Sequence, residues 1–127
     1  MSDVCMVFFA SARCNLEHAQ AALARSLTVQ RTGPSSLDVA WPNTNGPTLR
    51  VSLVAGPHVR AEGHQIAAQT PHAPAMAACD ARFEIHIDDL AGALDEMNTL
   101  MEIQMTLQDL TTGLMFNTWT GKLTAAS

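Results

Sequence analysis

Apolar and polar residues alternate along three stretches of the chain, residues 37–41, 49–53 and 82–87. Successive side chains of a strand point to opposite faces, so each stretch predicts a strand with one buried and one exposed face. Residues 4–10 are apolar at every position, which predicts a strand that lies centrally in a sheet or is covered on both faces. Residues 114–119 are predicted to form a fifth strand.

Two longer stretches have the spacing of amphipathic helices. The first spans residues 16–28, with Asn15 as its N-cap. The second spans residues 89–109 and contains neither proline nor a basic residue. A short helix is also expected over residues 58–69, followed by a loop. The apolar stripe of the second long helix is predicted to pack on the sheet, and it comprises Leu90, Ala93, Leu94, Met97, Leu100, Met101, Leu107 and Leu110.

The elements follow the order β-α-β-β-(short α)-β-α-β within a single domain, residues 1–127. Two principal helices on one face of a mainly antiparallel, five-stranded sheet would bury both apolar stripes. Two split β-α-β units with right-handed crossovers correspond to a ferredoxin-like arrangement. We therefore predict an α+β fold of ferredoxin-like topology, in which the other face of the sheet is exposed to solvent.

The composition is typical of a folded domain. Hydrophobic residues make up 47% of the chain and charged residues 15%, whereas disordered chains combine low hydrophobicity with high charge. The longest apolar run is shorter than the ~20 residues that a membrane-spanning helix needs, and no basic segment precedes it. The three cysteines have no C-x-x-C spacing, which favours free thiols in a reducing compartment. The sequence therefore predicts a cytoplasmic protein with no membrane partner.

Acidic residues dominate the C-terminal third of the chain. The net charge is −5, and no lysine or arginine occurs between Arg82 and Lys122. Nucleic-acid binding needs cationic side chains that displace the counterions of phosphate, so it is not expected. In the second long helix, acidic residues recur every seven positions. We predict that these residues bind a protein partner, which their charge allows to be basic, and they are Asp95, Glu102 and Asp109.

Additional apolar residues on the same helix predict either a dimer interface or a groove for a partner. Ile103 and Met105 lie off the apolar stripe, so the helix has more apolar surface than one sheet face can cover. Methionine side chains also adapt to irregular partner surfaces. We therefore predict a homodimer.

No catalytic, metal-binding or cofactor-binding residue set is predicted. His58 and Glu62 stand four residues apart, as two ligands on one helical face would, but His64 falls on the opposite side of that helix. The chain has no G-x-S-x-G motif for a nucleophile, and its glycines do not cluster as in a phosphate-binding loop. The sequence leaves open whether the protein is an enzyme.

The outward face of the predicted sheet is a second candidate site. If the alternation holds, this face carries Asp38, Arg50, Ser52, Glu84 and His86. Two tryptophans lie at strand ends, where an indole can line a pocket and still donate its N–H group. The candidate ligand-binding residues are therefore Trp41, Glu84, His86 and Trp119. A tryptophan in so small a domain is more often part of the core, and this is the alternative for both tryptophans.

These patterns predict one function and one alternative, besides a third interpretation as a structural or accessory dimer without chemistry of its own. The first is a small acidic cytosolic binding or accessory protein that recognises a protein partner, and inhibition of a basic nuclease or toxin is one form of it. The alternative is a small-molecule-binding protein or enzyme. Its pocket would lie against the sheet near Trp41, Trp119, Glu84 and His86.

Overall fold

The computed structural model describes residues 3–40, 48–87, 91–92 and 97–125, apart from the side chains of residues 97 and 98. The strands are β1 (Asp3–Phe9), β2 (Thr28–Gly33), β3 (Ser36–Ala40), β4 (Leu49–Ala55), β5 (Ala81–Ile87), β6 (Leu114–Asn117) and β7 (Lys122–Ala125). The α-helices of the described residues are α1 (Leu16–Leu23), α2 (Pro57–Ala67), α3 (Ala73–Met76) and α4 (Met97–Thr111).

All of these strands form one sheet in the order β2-β3-β4-β5-β1-β6-β7, and every neighbouring pair is antiparallel. The α+β class and the antiparallel sheet are confirmed, whereas the prediction of five strands is wrong. One extra strand, β2, lies where the end of the first helix and its loop were predicted. The helix ends at Leu23, and Thr28 and Val29 begin a strand because their β-branched side chains favour extended backbone.

The predicted ferredoxin-like topology is not confirmed. Helix α4 joins β5 to β6, which flank β1, and so forms one split β-α-β unit. Helix α1 instead joins β1 to β2 at the far edge of the sheet, with three strands between them. The meander of β2, β3 and β4 causes this separation, because each hairpin places a strand directly beside the preceding one.

Helices cover both faces of the sheet. We call the side of α1 and α4 the first face, where the larger cluster of buried side chains includes Leu23, Phe83 and Leu107. The second face is the side of α2 and α3, which pack around Phe8 and Met76. The two principal helices thus share one face, as predicted, but the opposite face is partly covered and not simply exposed.

The apolar stripe of α4 is rotated relative to the sequence prediction. Leu100 and Leu107 are buried as predicted, and Ile103, predicted to lie off the stripe, is fully buried between them. Met101 is 44% exposed and Leu110 37% exposed, so their predicted packing on the sheet is wrong. The other members of the predicted stripe, Leu90, Ala93, Leu94 and the side chain of Met97, lie outside the described residues.

Two buried polar residues explain this rotation. Gln104 is 9% exposed, and its amide nitrogen donates to the Asn117 side-chain oxygen at 3.1 Å and to the Cys5 sulfur at 3.3 Å. Thr111 is 1% exposed, and its hydroxyl donates to the Leu107 carbonyl and accepts the N–H of Gly113. Because each buried polar group has a partner, both residues can face the sheet without the cost of an unpaired donor or acceptor.

The buried thiols make the stability of this fold sensitive to alkaline pH. Burial raises the pKa of Cys5 from 9.0 to about 12, although the hydrogen bond from Gln104 opposes the shift. A thiol whose pKa is raised in the folded state stabilises the fold below pH 9, and this contribution is lost as pH rises from 9 toward 12. Burial also raises the pKa of Cys14 and Cys79. The chain has no tyrosine and a single lysine, so few other groups titrate in this range.

We therefore expect the free energy of unfolding to fall by about 1.4 kcal/mol per pH unit above pH 9 for Cys5 alone. Urea unfolding at a series of pH values between 8 and 11 measures this slope, to which Cys14 and Cys79 also contribute. The Cys5→Ala variant is expected to have a shallower slope. An unchanged slope in that variant would contradict the assignment to Cys5.

Candidate functional site

The predicted outward residues of the sheet do lie together on the second face. The strand register places Asp38 opposite Arg50, Arg50 opposite His86, and Ser52 opposite Glu84. Directly paired residues of neighbouring strands project to the same side of a sheet. These five side chains therefore form a continuous polar strip across β3, β4 and β5.

A charge network connects this strip to α2. Arg82 is 6% exposed, and its guanidinium donates to Glu62 at 2.5 Å and to Glu84 at 2.7 Å. The guanidinium carbon also lies 5.5 Å from the centre of the Phe8 ring. Burial opposes the charge on Arg82, yet the hydrogen bonds with both carboxylates raise its pKa above the ordinary value. The ion pair between Arg82 on β5 and Glu62 on α2 therefore joins this helix to the sheet.

The structure also bears on whether His58, Glu62 and His64 could bind a metal ion together. The carboxylate of Glu62 is bound to Arg82, and His64 lines a groove at the start of α2. Among the described residues, no three His, Cys, Asp or Glu side chains are grouped closely enough to hold a metal ion. These three residues accordingly do not form a shared ligand set.

The candidate ligand-binding residues are not brought to one place. Glu84 and His86 lie on the second face, where His86 Nε2 is 3.4 Å from Glu84 Oε1. Trp119 lies in the turn after β6 and packs against the cluster of the first face, on the other side of the sheet. Trp41 lies outside the described residues. The pocket mouth predicted from these four residues is therefore not formed by Glu84, His86 and Trp119.

A groove of about 740 Å³ that the sequence did not reveal lies between the start of α2 and the end of α3. Its walls include Ala55, Pro57 and Ala61, while its charged residues are engaged elsewhere. Arg60 donates to the carbonyl of Ala77 at 3.0 Å, and Asp80 accepts the N–H and the hydroxyl of Ser11. The Ser11 hydrogen bonds also lower the pKa of Asp80. The charged groups of this groove thus brace the local structure.

The outward side of α4 carries the most conspicuous apolar exposure of the molecule. Met101 is 44%, Met105 56% and Leu110 37% exposed. Among the described residues, the large hydrophobic side chains that are exposed are these three, and all of them belong to α4. Exposed apolar groups that share one element mark an interaction site more often than scattered ones do.

Two predicted partner-binding residues lie between these apolar side chains. Successive residues of a helix are rotated by about 100°. Around α4, this rotation gives the sequence Met101, Met105, Asp109, Glu102, and then Leu110 on the side nearest α1. Asp109 is exposed and Glu102 half-buried, while Asp95 lies outside the described residues. We call Met101, Met105, Asp109, Glu102 and Leu110 the α4 surface.

A groove of about 500 Å³ lies between α1 and the part of this surface formed by Glu102, Asp109 and Leu110, and Met101 and Met105 do not line it. Its α1 side is formed by Ala22 at the end of α1 and by Arg25 and Ser26 in the turn that follows, and Thr106 lies on its α4 side with Glu102, Asp109 and Leu110. The Ser26 hydroxyl donates to Glu102 Oε1 at 2.8 Å and so joins this turn to α4. The groove combines apolar walls with two carboxylates and one guanidinium.

Within the described part of the chain, no helix is long and apolar enough to cross a membrane. Comparison of the chain with family models, with curated proteins and with solved structures found no match.

Proposed function

We propose that this protein is an accessory binding protein that recognises a protein partner through the α4 surface. The observation that carries the proposal is the location of Met101, Met105 and Leu110. These large apolar side chains are exposed on the one helix whose outward side also carries Glu102 and Asp109. Exposed apolar side chains that share one helix mark an interaction site, and here Glu102 and Asp109 lie between them.

The exposed methionines and the exposed carboxylates contribute to partner binding in different ways. Full burial of a methionine side chain contributes roughly 1.5–3 kcal/mol, so a partner that covers Met101 and Met105 gains affinity. Carboxylates contribute less to net affinity, but they select a partner of opposite charge and accelerate its approach. The net charge of −5 acts in the same direction. The proposed partner is therefore a basic protein with an apolar contact of its own.

A second copy of the chain is a less favourable occupant of this surface. In a twofold symmetric dimer, the same patch of both subunits meets, which would bring Glu102 and Asp109 near their own copies. Like charges at an interface oppose association. The original reason for a homodimer is also weakened, because Ile103 is fully buried. The homodimer stays a prediction, and this surface is assigned to a different protein.

The proposal is tested by replacing both methionines with glutamine, which has a similar length and helix propensity. We expect Met101→Gln/Met105→Gln to leave the melting temperature nearly unchanged, because both side chains are exposed. The same variant is expected to weaken capture of the partner from host extract at least tenfold. Met101→Leu/Met105→Leu is the matched control and is expected to retain binding, because it keeps the apolar surface.

The salt concentration of the capture supplies a second criterion. Binding to the wild-type protein is expected to weaken between 50 and 300 mM salt, because the opposite charges become screened. Capture of the same proteins by wild type and by the glutamine variant, with no effect of salt, would refute the proposal.

A further inference from the structure

We infer that the α4 surface binds an α-helix of its partner, seated along the groove between α1 and α4, with basic residues seven positions apart facing Glu102 and Asp109. This inference rests on the proposed function and specifies the structure and charge of the segment that is recognised.

The shape of the groove fits a helix. Two helices that pack side by side leave a furrow into which the side chains of a third helix can interdigitate. Ala22 and Thr106 line this furrow with small side chains, while Leu110 lies along its wall. On α4, the lining positions 102, 106 and 109 follow the spacing i, i+4 and i+7, so they form one row along the helix.

The charges along this row have a helical period. Glu102 and Asp109 are seven residues apart, which corresponds to about 10.5 Å along α4. A helix aligned with α4 presents its own residues i and i+7 at the same separation, in either direction. Asp109 forms no hydrogen bond or ion pair within the described residues, so its carboxylate is free to accept from a cation. Lysine or arginine at those two positions of the partner complements the row.

Arg25 limits which helices fit. It lines the α1 side of the groove, opposite the carboxylates of α4. A partner helix with basic residues on both flanks would bring one of its cations near Arg25, which is unfavourable. The preferred helix therefore carries its basic residues on the α4 flank and neutral or acidic residues on the α1 flank.

An extended strand is a poorer occupant of the same groove. Its backbone N–H and C=O groups need a regular row of hydrogen-bond partners, which the backbone of a sheet edge provides and which the side chains of this groove do not. A helix satisfies these groups internally and presents only side chains. The exposed strip of side chains on α4 therefore favours a helix.

Synthetic peptides test this inference without the natural partner. The probe is an 18-residue peptide of leucine, alanine and lysine, with two lysines seven positions apart on one flank of the leucine stripe. One control replaces both lysines with glutamate, and a second places proline at the centre, which breaks a helix. Fluorescence anisotropy of labelled peptides measures the affinity, and circular dichroism measures helix formation on binding.

We expect the lysine peptide to become helical on binding, and the glutamate and proline peptides to bind at least tenfold more weakly. Glu102→Gln and Asp109→Asn are each expected to weaken binding of the lysine peptide three- to tenfold. Asp38→Asn makes the same change of charge on the second face of the sheet and is expected to leave the affinity unchanged. Equal binding of the proline peptide, or equal effects of Asp109→Asn and Asp38→Asn, would overturn the inference.

Failure of the inference is distinguishable from failure of the proposed function. If no peptide binds while Met101→Gln/Met105→Gln still abolishes capture from extract, the helix is refuted and the α4 surface remains the binding site. If no peptide binds and Met101→Gln/Met105→Gln captures the same proteins as wild type, both the inference and the proposed function are refuted.

Discussion

Replacing Arg82 with methionine is expected to lower the free energy of unfolding by about 3 kcal/mol. Arg82 is buried, and its guanidinium is shared by two carboxylates on different elements, Glu62 on α2 and Glu84 on β5. The side chain of Glu84 is only 16% exposed, so in the variant a largely buried carboxylate loses its cation. Glu62 is 48% exposed and can turn to solvent, so most of the loss comes from Glu84.

The matched control is Arg50→Met on the same face of the sheet. Arg50 lies 3.4 Å from Asp38, but its side chain is 60% exposed, and exposed pairs contribute at most about 1 kcal/mol. Urea unfolding of both variants measures the difference. The double variant Arg82→Met/Glu84→Gln is expected to recover part of the loss, because it removes the unpaired charge. Equal, small effects of Arg82→Met and Arg50→Met would show that Arg82 does not offset the buried charge of Glu84.

The Gly113→Ala substitution is expected to lower the free energy of unfolding by a similar amount, about 3 kcal/mol. A Cβ atom at this position would overlap the carbonyl oxygen of Phe8 and would lie 2.8 Å from the hydroxyl oxygen of Thr111. The first of these atoms belongs to the backbone of the central strand β1, so it cannot move without distorting the pairing with β6. The connection between α4 and β6 would therefore shift.

Gly63→Ala provides the contrast. A Cβ at Gly63 would meet the sulfur of Met76 at 2.8 Å and its Cγ at 3.1 Å, and both atoms belong to a flexible side chain and not to the backbone. Alanine also favours a helix interior by up to about 1 kcal/mol over glycine. The free energy of unfolding of Gly63→Ala, measured in the same urea series, is therefore expected to lie within about 1 kcal/mol of the wild-type value. A smaller loss for Gly113→Ala than for Gly63→Ala would contradict the described packing.

Local patterns of the sequence identified much of the fold. The alternation over residues 49–53 and 82–87 correctly indicated β4 and β5, and Asn15 caps α1 by accepting the N–H of His18 at 2.8 Å. The α+β class followed from these elements. Period-two alternation and helix capping depend on neighbouring residues, and this is why a single sequence reveals them.

The errors concern interactions between residues that are distant in the sequence. The strand β2 depends on pairing with β3, and the sequence prediction ended the first helix at residue 28 with no strand directly after it. The rotation of α4 depends on Gln104, whose amide finds Asn117 and Cys5 only in the folded chain. Gln104 therefore lies in the core, and Met101, which was predicted to pack on the sheet, is exposed.

The candidate site was identified in part for the same reason. Glu102 and Asp109 were singled out by their seven-residue repeat, and both lie on the α4 surface. Met101 and Leu110 were assigned to the sheet side of the helix because the rotation of α4 was not foreseen, whereas Met105 was predicted to lie off the apolar stripe and is exposed. Trp119 packs on the first face, away from Glu84 and His86, which no local pattern could indicate. The small-molecule alternative therefore has less support than a protein partner.

Site-specific photo-crosslinking tests the proposed role of α4 most directly. A benzophenone side chain placed at Met105, which is 56% exposed, would lie within the proposed interface, and one placed at Arg50 would lie on the second face of the sheet. After irradiation in host extract, we expect a discrete crosslinked protein from position 105 that weakens at 300 mM salt, and none from position 50. A discrete product from position 50, with none from position 105, would contradict the assignment of the interface to α4.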